Sequence, residues 1–354
     1  MKNFDTRAYN IADFLEWQKN GLLQLSPDFQ RRAVWSEKAK SYLIDTILRG
    51  RPIPKILISQ TLEGSRGIRT VVDGQQRLRA ILEFINGDFS ISRAHNEMFA
   101  GRRYTSLPLP VQNEFLTYEL GVDLLFDVKL EDLLDIFARI NSYTVTLNKQ
   151  ERFNAFYFGY FKQTAFRLGY KYVDYFITGG VLTKAKVTRM AEAELAGDLL
   201  VALVGGVQTN KSAEQYYKKF EDQLGPLGRR SNQFENIMSH VGEIYPASEM
   251  ASTNWSRIHL FYTLFTSIAH CLYGLKGIKA KLRANITKKN LGQARVCLDE
   301  ISATYDEVAA DLDNPDAPKD YKQFIMRSRR ATTDTASRVE RTEFVCRKLM
   351  AFLK

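Results

Sequence analysis

Between Val71 and Asp88 the chain reads VVDGQQRLRAILEFINGD, with an acid, a glycine, two glutamines and an arginine in consecutive positions. Val71 and Val72 suit the end of a buried strand, and Leu78, Ile81, Leu82 and Ile85 recur at the spacing of one helix face. A strand that feeds a helix through a glycine presents free backbone N–H groups and the positive end of the helix dipole at one point. Such a point suits a phosphate. Gly74 would let a ligand approach the backbone, Arg77 would supply a planar fork for phosphate oxygens, and Gln75 and Gln76 could hydrogen-bond ligand or water. Asp73 fits less easily, because a carboxylate repels phosphate. It reads as the helix N-cap, closing a D-x-x-Q box with Gln76, or as a group that also works through Mg²⁺ or a polarised water. A capped helix with a solvated arginine is the simpler account of the same pattern.

Two further polar clusters sit where elements end, which is where loops on a rigid scaffold build ligand sites. PDFQRR, Pro27 to Arg32, sets Gln30, Arg31 and Arg32 between the anchoring aromatics Phe29 and Trp35. FARIN sets Arg139 and Asn141 at the end of an apolar helix, where an arginine can also satisfy the last carbonyls. The formal charge of +10 and isoelectric point near 9.3 bias the protein towards polyanions. Much of the excess lies between Lys276 and Arg295, a stretch without an acid. It reads either as a solvated helix face or loop, or as a surface for a DNA backbone carried by Lys279, Lys281, Arg283, Lys288 and Lys289.

The elements that would position these groups follow from periodicity and punctuation. Ile11 to Asn20 predicts a helix stopped by Gly21, and Ser36 is a good N-cap for a helix ending at Gly50. RPIP cannot continue that helix, so a strand begins with Lys55 to Gln60 and pairs as a hairpin with IRTVV. Glu131 to Asn141 reads as helix, and NKQE, Asn148 to Glu151, has capping-box spacing for a helix running into FNAFYFGYF. From about residue 155 helical periodicity dominates. The expectation is an α+β protein: an α/β domain over residues 1–155 and a mostly helical domain over 156–354.

Composition narrows the classes. Ile258 to Leu275 is the most apolar run, but its histidines and hydroxyls make it a core helix rather than a membrane span. Cys271, Cys297 and Cys346 are widely spaced, the N-terminus lacks a secretory pattern, and a reducing, cytoplasmic home is expected. The GxxxxGK[ST] phosphate loop, the HExxH zinc site and the GxSxG nucleophile elbow are all absent.

In order and spacing, PDFQRR, ILRGRPIP, VVDGQQRLRAIL and FARINSYTVTLNKQE resemble the N-terminal, S-type half of GmrSD-like type IV restriction enzymes, a domain similar to the ParB and sulfiredoxin superfamily. The likeness is strong over residues 9 to 160 and weaker beyond, where TRMAEAEL and RRATTDTASRVERTEF also look like the family's downstream region. It implies a small ParB/sulfiredoxin-like domain with a mixed sheet, followed by a mostly helical domain. It also implies nucleotide binding and hydrolysis at the DGQQR segment. Asp73, Gln75, Gln76 and Arg77 then become candidate catalytic residues, while Gln30, Arg31, Gly74, Arg77, Arg139 and Asn141 become candidate phosphate ligands. Mg²⁺ at Asp73 and a nucleoside triphosphate are the expected cofactor and substrate. After F-x-R-x-N the family shows E-L-R-N-A, whereas this chain has Glu151, Arg152, Phe153, Asn154 and Ala155, so no role transfers to the displaced arginine. None of His95, His240, His259 and His270 sits in an HNH-like context, so the nuclease half is expected to be absent. A sulfiredoxin-like redox activity is not expected, since no cysteine precedes Cys271.

The resulting expectation is a nucleotide-binding, NTP-hydrolysing switch or sensor in restriction of foreign DNA. DNA, modified DNA included, and a separate nuclease or methyltransferase subunit are its expected partners, with no membrane. One alternative is a non-hydrolysing DNA-binding sensor. The other is a stand-alone endonuclease, which would need Asp73, Asp123, Asp127 and Glu151 to gather in space.

Overall fold

The computed structural model describes residues 4–25, 35–128, 136 and 148–353. The chain divides into two compact units, Met1–Thr146 and Leu147–Lys354. The first is α+β and the second helical, as the sequence predicts.

In the first unit the elements run β1 (Phe4–Asn10), α1 (Ile11–Lys19), β2 (Leu23–Gln24), α2 (Glu37–Leu48), β3 (Ile56–Glu63), β4 (Arg66–Asp73), α3 (Gln75–Asn86), α4 (Leu109–Leu116) and β5 (Glu119–Phe126). The strands form one mixed sheet in the order β1-β5-β3-β4-β2. β3 and β4 are the expected antiparallel hairpin, joined by a two-residue turn in which Gly64 takes φ +63°. β5 lies parallel to β3 on the other side and antiparallel to β1.

Sequence reading misses β1 and β5, while β2 falls at the start of LQLSPDFQRRAVW, which reads as an extended segment and loop. FDTRAYN has little apolar patterning, because β1 is a largely exposed edge strand, and β2 is a two-residue parallel contact with β4. One face of the sheet carries the core: Ile58, Val71 and Val122 pack with Ile44 of α2 and Ile81 and Phe84 of α3. Each such side chain, fully buried, contributes about 1.5–3 kcal/mol. On a second, smaller cluster Val72 and Leu125 meet Leu57, Val128 and Ile136. β4 is therefore buried on both sides just before the DGQQR turn.

The second unit contains α5 (Lys149–Phe156), α6 (Tyr160–Thr178), α7 (Lys184–Val187), α8 (Ala191–Gly205), α9 (Ala213–Lys219), α10 (Leu227–Ile244), α11 (Ala247–Met250), α12 (Ile258–Tyr273), α13 (Leu291–Ala310), α14 (Lys319–Arg329) and α15 (Thr335–Phe352). Asn148 caps α5 through the predicted box. Its side chain accepts the Glu151 N–H at 2.8 Å, and the Glu151 carboxylate accepts the Asn148 N–H at 2.6 Å. The single helix expected from NKQE into FNAFYFGYF is instead broken after Phe156. There the Glu221 carboxylate accepts the N–H groups of Phe158 and Gly159, at 2.9 and 3.0 Å. A Cβ on Gly159 would collide with the Glu221 backbone, so only glycine fits that approach. α12 is the buried helix the apolar run predicts, with Leu260 through Cys271 all inside. Among the described residues no helix is long and apolar enough to cross a membrane.

Ser36 caps α2 as expected, its hydroxyl accepting the Ala39 N–H at 3.2 Å. Ser36→Ala should lower stability by about 1 kcal/mol in urea unfolding, with Ser36→Asp close to wild type.

Candidate functional site

β4 ends on Asp73 and α3 begins at Gln75, so one residue, Gly74, makes the whole turn. It does so at φ +90°, ψ 10°, in the left-handed region, and it is the N-cap of α3. The expected cap at Asp73 and its D-x-x-Q box are thus corrected. Asp73 is the last residue of the strand, and α3 has no side-chain cap. Gly74 has no side chain to cap the first-turn N–H groups of α3, and among the described residues no side-chain acceptor reaches them at this end, where the helix dipole is positive.

Each motif side chain has a definite role in this arrangement. Gln75 Nε2 donates to the Val71 carbonyl at 3.0 Å, folding back over the strand. Gln76 Oε1 accepts the Trp35 N–H at 3.2 Å. Arg77 curls back towards the turn, its Nη2 donating to Asp73 Oδ2 at 2.8 Å; its side chain is 13% exposed and that of Asp73 49%. A Cβ at Gly74 would lie 3.1 Å from Arg77 Nη2 and 3.2 Å from Ile56 Cδ1. Glycine therefore serves both the backbone turn and the close approach of the guanidinium.

Gln30, Arg31, Arg139 and Asn141 lie outside the described residues; a described residue near each segment has a contact in this region. Trp35, four residues after Arg31, is hydrogen-bonded to Gln76. Ile136, three residues before Arg139, packs in the small cluster with Val72.

The carboxylates proposed for a nuclease centre do not assemble. Leu57 is the register partner of both Asp73 and Asp123, which places those two strands apart, about 9–10 Å. Asp123 accepts from Thr6 Oγ1 at 2.5 Å and Lys55 Nζ at 3.1 Å. Glu151 is committed to capping α5 and to Arg189, at 3.0 Å. Among the described residues there is no group of three or more His, Cys, Asp or Glu side chains that could hold a metal ion.

The basic stretch is mostly extended chain with one 3₁₀ turn at Ala280–Leu282. Its burial alternates: Leu282, Ala284 and Ile286 point inward, while Lys281, Arg283 and Thr287 are exposed. Lys279 pairs with Glu343 at 2.9 Å, and Lys288 approaches Glu243 at 3.7 Å. Arg283 donates to the Cys271 and Leu272 carbonyls at the end of α12. Lys281 and Lys289 remain outward-facing. Sequence reasoning passed over Asp198, Arg338 and Arg341 and weighed His259 only for an HNH core; all four line a cavity in the helical unit. The only trace of them was two arginines three apart on the last helix.

This geometry defines a class: a mixed-sheet α+β domain in which one left-handed glycine joins a strand to a helix. Residues 11–158 match the family model of the GmrSD restriction endonuclease N-terminal domain. No curated protein matches the chain.

Gly74→Ala should cost about 1–2 kcal/mol, because an L side chain is strained at this φ, and should push Arg77 out of the turn. Urea unfolding reads the first effect, and the position of Arg77 in a crystal structure of the variant reads the second.

Proposed function

We propose that the protein is the nucleotide-binding, NTP-hydrolysing component of a restriction system acting on foreign DNA, in which nucleotide occupancy switches DNA engagement. The restriction context comes from the family of residues 11–158. The nucleotide reading rests above all on one observation: the Arg77 guanidinium lies against the left-handed Gly74 turn at the uncapped start of α3. Phosphate oxygens seated there would accept backbone N–H groups and a planar guanidinium fork together.

The Arg77–Asp73 pair does not oppose this. An i,i+4 pair of this kind, with its carboxylate half exposed, is worth about 0.3–0.5 kcal/mol, less than a charge-assisted bond to phosphate. Breaking it frees Arg77 for the nucleotide and Asp73 for another cation. Asp73 offers one partly exposed carboxylate, which fits a Mg²⁺ carried in on a triphosphate rather than an ion held by protein alone. Such an ion would neutralise phosphate charge. The chain's own contribution is to seat the phosphates on the α3 N-terminus, to hold Arg77 against the developing charge, and to link Trp35 to the turn through Gln76.

Phosphate release from ATP, GTP, CTP and UTP should be fastest for wild type and fall by about 10²-fold in Arg77→Ala and Asp73→Asn. Equal rates in wild type and Arg77→Ala would remove the site.

DNA contact is supported by the outward lysines of the 276–295 stretch, which sit on chain whose alternate residues are buried in the helical core. The double change Lys281→Glu, Lys289→Glu should weaken duplex binding at low salt. It should also reduce the slope of log K against log salt by about two, whatever the DNA sequence.

A further inference from the structure

The helical unit encloses a cavity of about 520 Å³, a volume suited to an organic ligand rather than a bare ion. Four of its helices begin at this cavity. Asn148 and Lys149 open α5, Ala191 opens α8, Ile258 opens α12, and Thr332 and Thr333 lead into α15. The start of α5 is answered by its own Glu151 and that of α8 by Glu192 and Glu194, whereas α12 and α15 have no acid in their first turn and keep the positive end of the helix dipole.

The side chains add to that charge. Arg338 is 4% exposed. It pairs with Asp198 at 2.8 and 2.6 Å and lies over the Tyr262 ring at 4.0 Å, yet among the described residues its buried Nε has no partner. Arg341 is fully buried. Its nitrogens donate to Thr263 Oγ1 at 3.0 Å, the Arg327 carbonyl at 2.6 Å and the Thr332 carbonyl at 2.8 Å, all of them neutral oxygens. Burial, with Arg338 nearby, pulls its pKa down to about 10, which leaves it charged near neutral pH. A buried guanidinium without a counter-charge is costly unless an anion comes to it.

The remaining wall does not supply that anion. Lys149 and Lys186 add positive charge, and Arg189 is held by Glu151. Of the two acids in the lining, Asp198 is taken by Arg338, and burial pushes the Glu194 carboxyl up towards its neutral form. The rest of the wall is suited to a flat ring. Phe153, Tyr217 and Tyr262 are aromatic, and Asn210 brings an amide. His259, also in the lining, has a buried Nε2 with no hydrogen-bond partner among the described residues. Burial lowers that imidazole to about 4, so it is neutral and forms directional hydrogen bonds.

We propose that this cavity is a second ligand site, distinct from the Gly74 turn, that binds a nucleoside monophosphate unit. Its phosphate is directed to the Arg338–Arg341 end and its base lies between the aromatic walls. A multi-oxygen anion matches converging helix N-termini and planar guanidinium groups, and a heterocycle with a hydrogen-bonding edge matches the volume, the rings and the free imidazole nitrogen. The unit can be a free nucleotide or one residue of a polynucleotide.

The test is calorimetric titration of the full chain carrying Arg77→Ala, which disables the first site. The probes are the four ribonucleoside 5′-monophosphates, inorganic phosphate and a single-stranded octanucleotide. Two further changes report on the cavity: Ala185→Trp, which places bulk at an exposed position of the lining, and His259→Phe, which keeps a ring but removes the unpartnered nitrogen. A monophosphate should bind the Arg77→Ala protein and bind at least about tenfold more weakly after either change, with the melting temperature unaltered in at least one of them. Octanucleotide binding with the same sensitivity, in place of monophosphate binding, supports the site and assigns the polynucleotide source. The proposal is overturned by no binding of any nucleotide probe, by inorganic phosphate binding as tightly as the monophosphates, or by binding insensitive to both cavity changes.

Discussion

The first unit depends on a single-residue reversal between a strand buried on both sides and an amphipathic helix. Val71 and Val72 are each fully buried, in different clusters, so β4 cannot shift to make room for a longer loop. Leu78 and Ile81 hold α3 to the same core. The chain must turn within Gly74, and a left-handed φ there is accessible without strain only to glycine. The uncapped helix start and the approach of Arg77 are consequences of that turn. The residues that could bind a phosphate are thus positioned by packing on either side of them.

Arginines carry different roles in the two units. Arg77 is tied to a half-exposed carboxylate by a weak bond and can be recruited by a ligand at little cost. Arg338 and Arg341 lie inside the helical unit, where the surrounding hydrogen bonds fix them and removal of a partner would leave a buried charge. The first arrangement suits a site that opens and closes with a substrate. The second suits a preformed pocket whose charge is present before any ligand arrives.

Much of the local structure was legible because its causes are local. Ser36 and Asn148 read as caps because a cap needs only its own side chain and an N–H three residues on. The β3–β4 hairpin followed from its glycine turn, and α12 from its apolar run. Asp73 was misread for an equally clear reason. D-x-x-Q spacing is consistent with a cap on Asp73, but the pattern does not carry the φ of Gly74, which moves the helix start by one residue. The break after Phe156 depends on Glu221, more than sixty residues downstream, and no pattern around the break contains it.

By itself the sequence determined the α+β class, the strand-to-helix segment and the chemical character of DGQQR, because side-chain type and short-range periodicity are properties of neighbouring residues. Tertiary structure alone decided that Arg77 lies on Gly74, that Trp35 bonds to Gln76 and Ile136 packs in the cluster of Val72, and that Arg341 is buried among neutral oxygens at the wall of a cavity. Those facts depend on which distant segments share a core. Hydrophobic packing is non-directional and sets such contacts only when the whole unit closes.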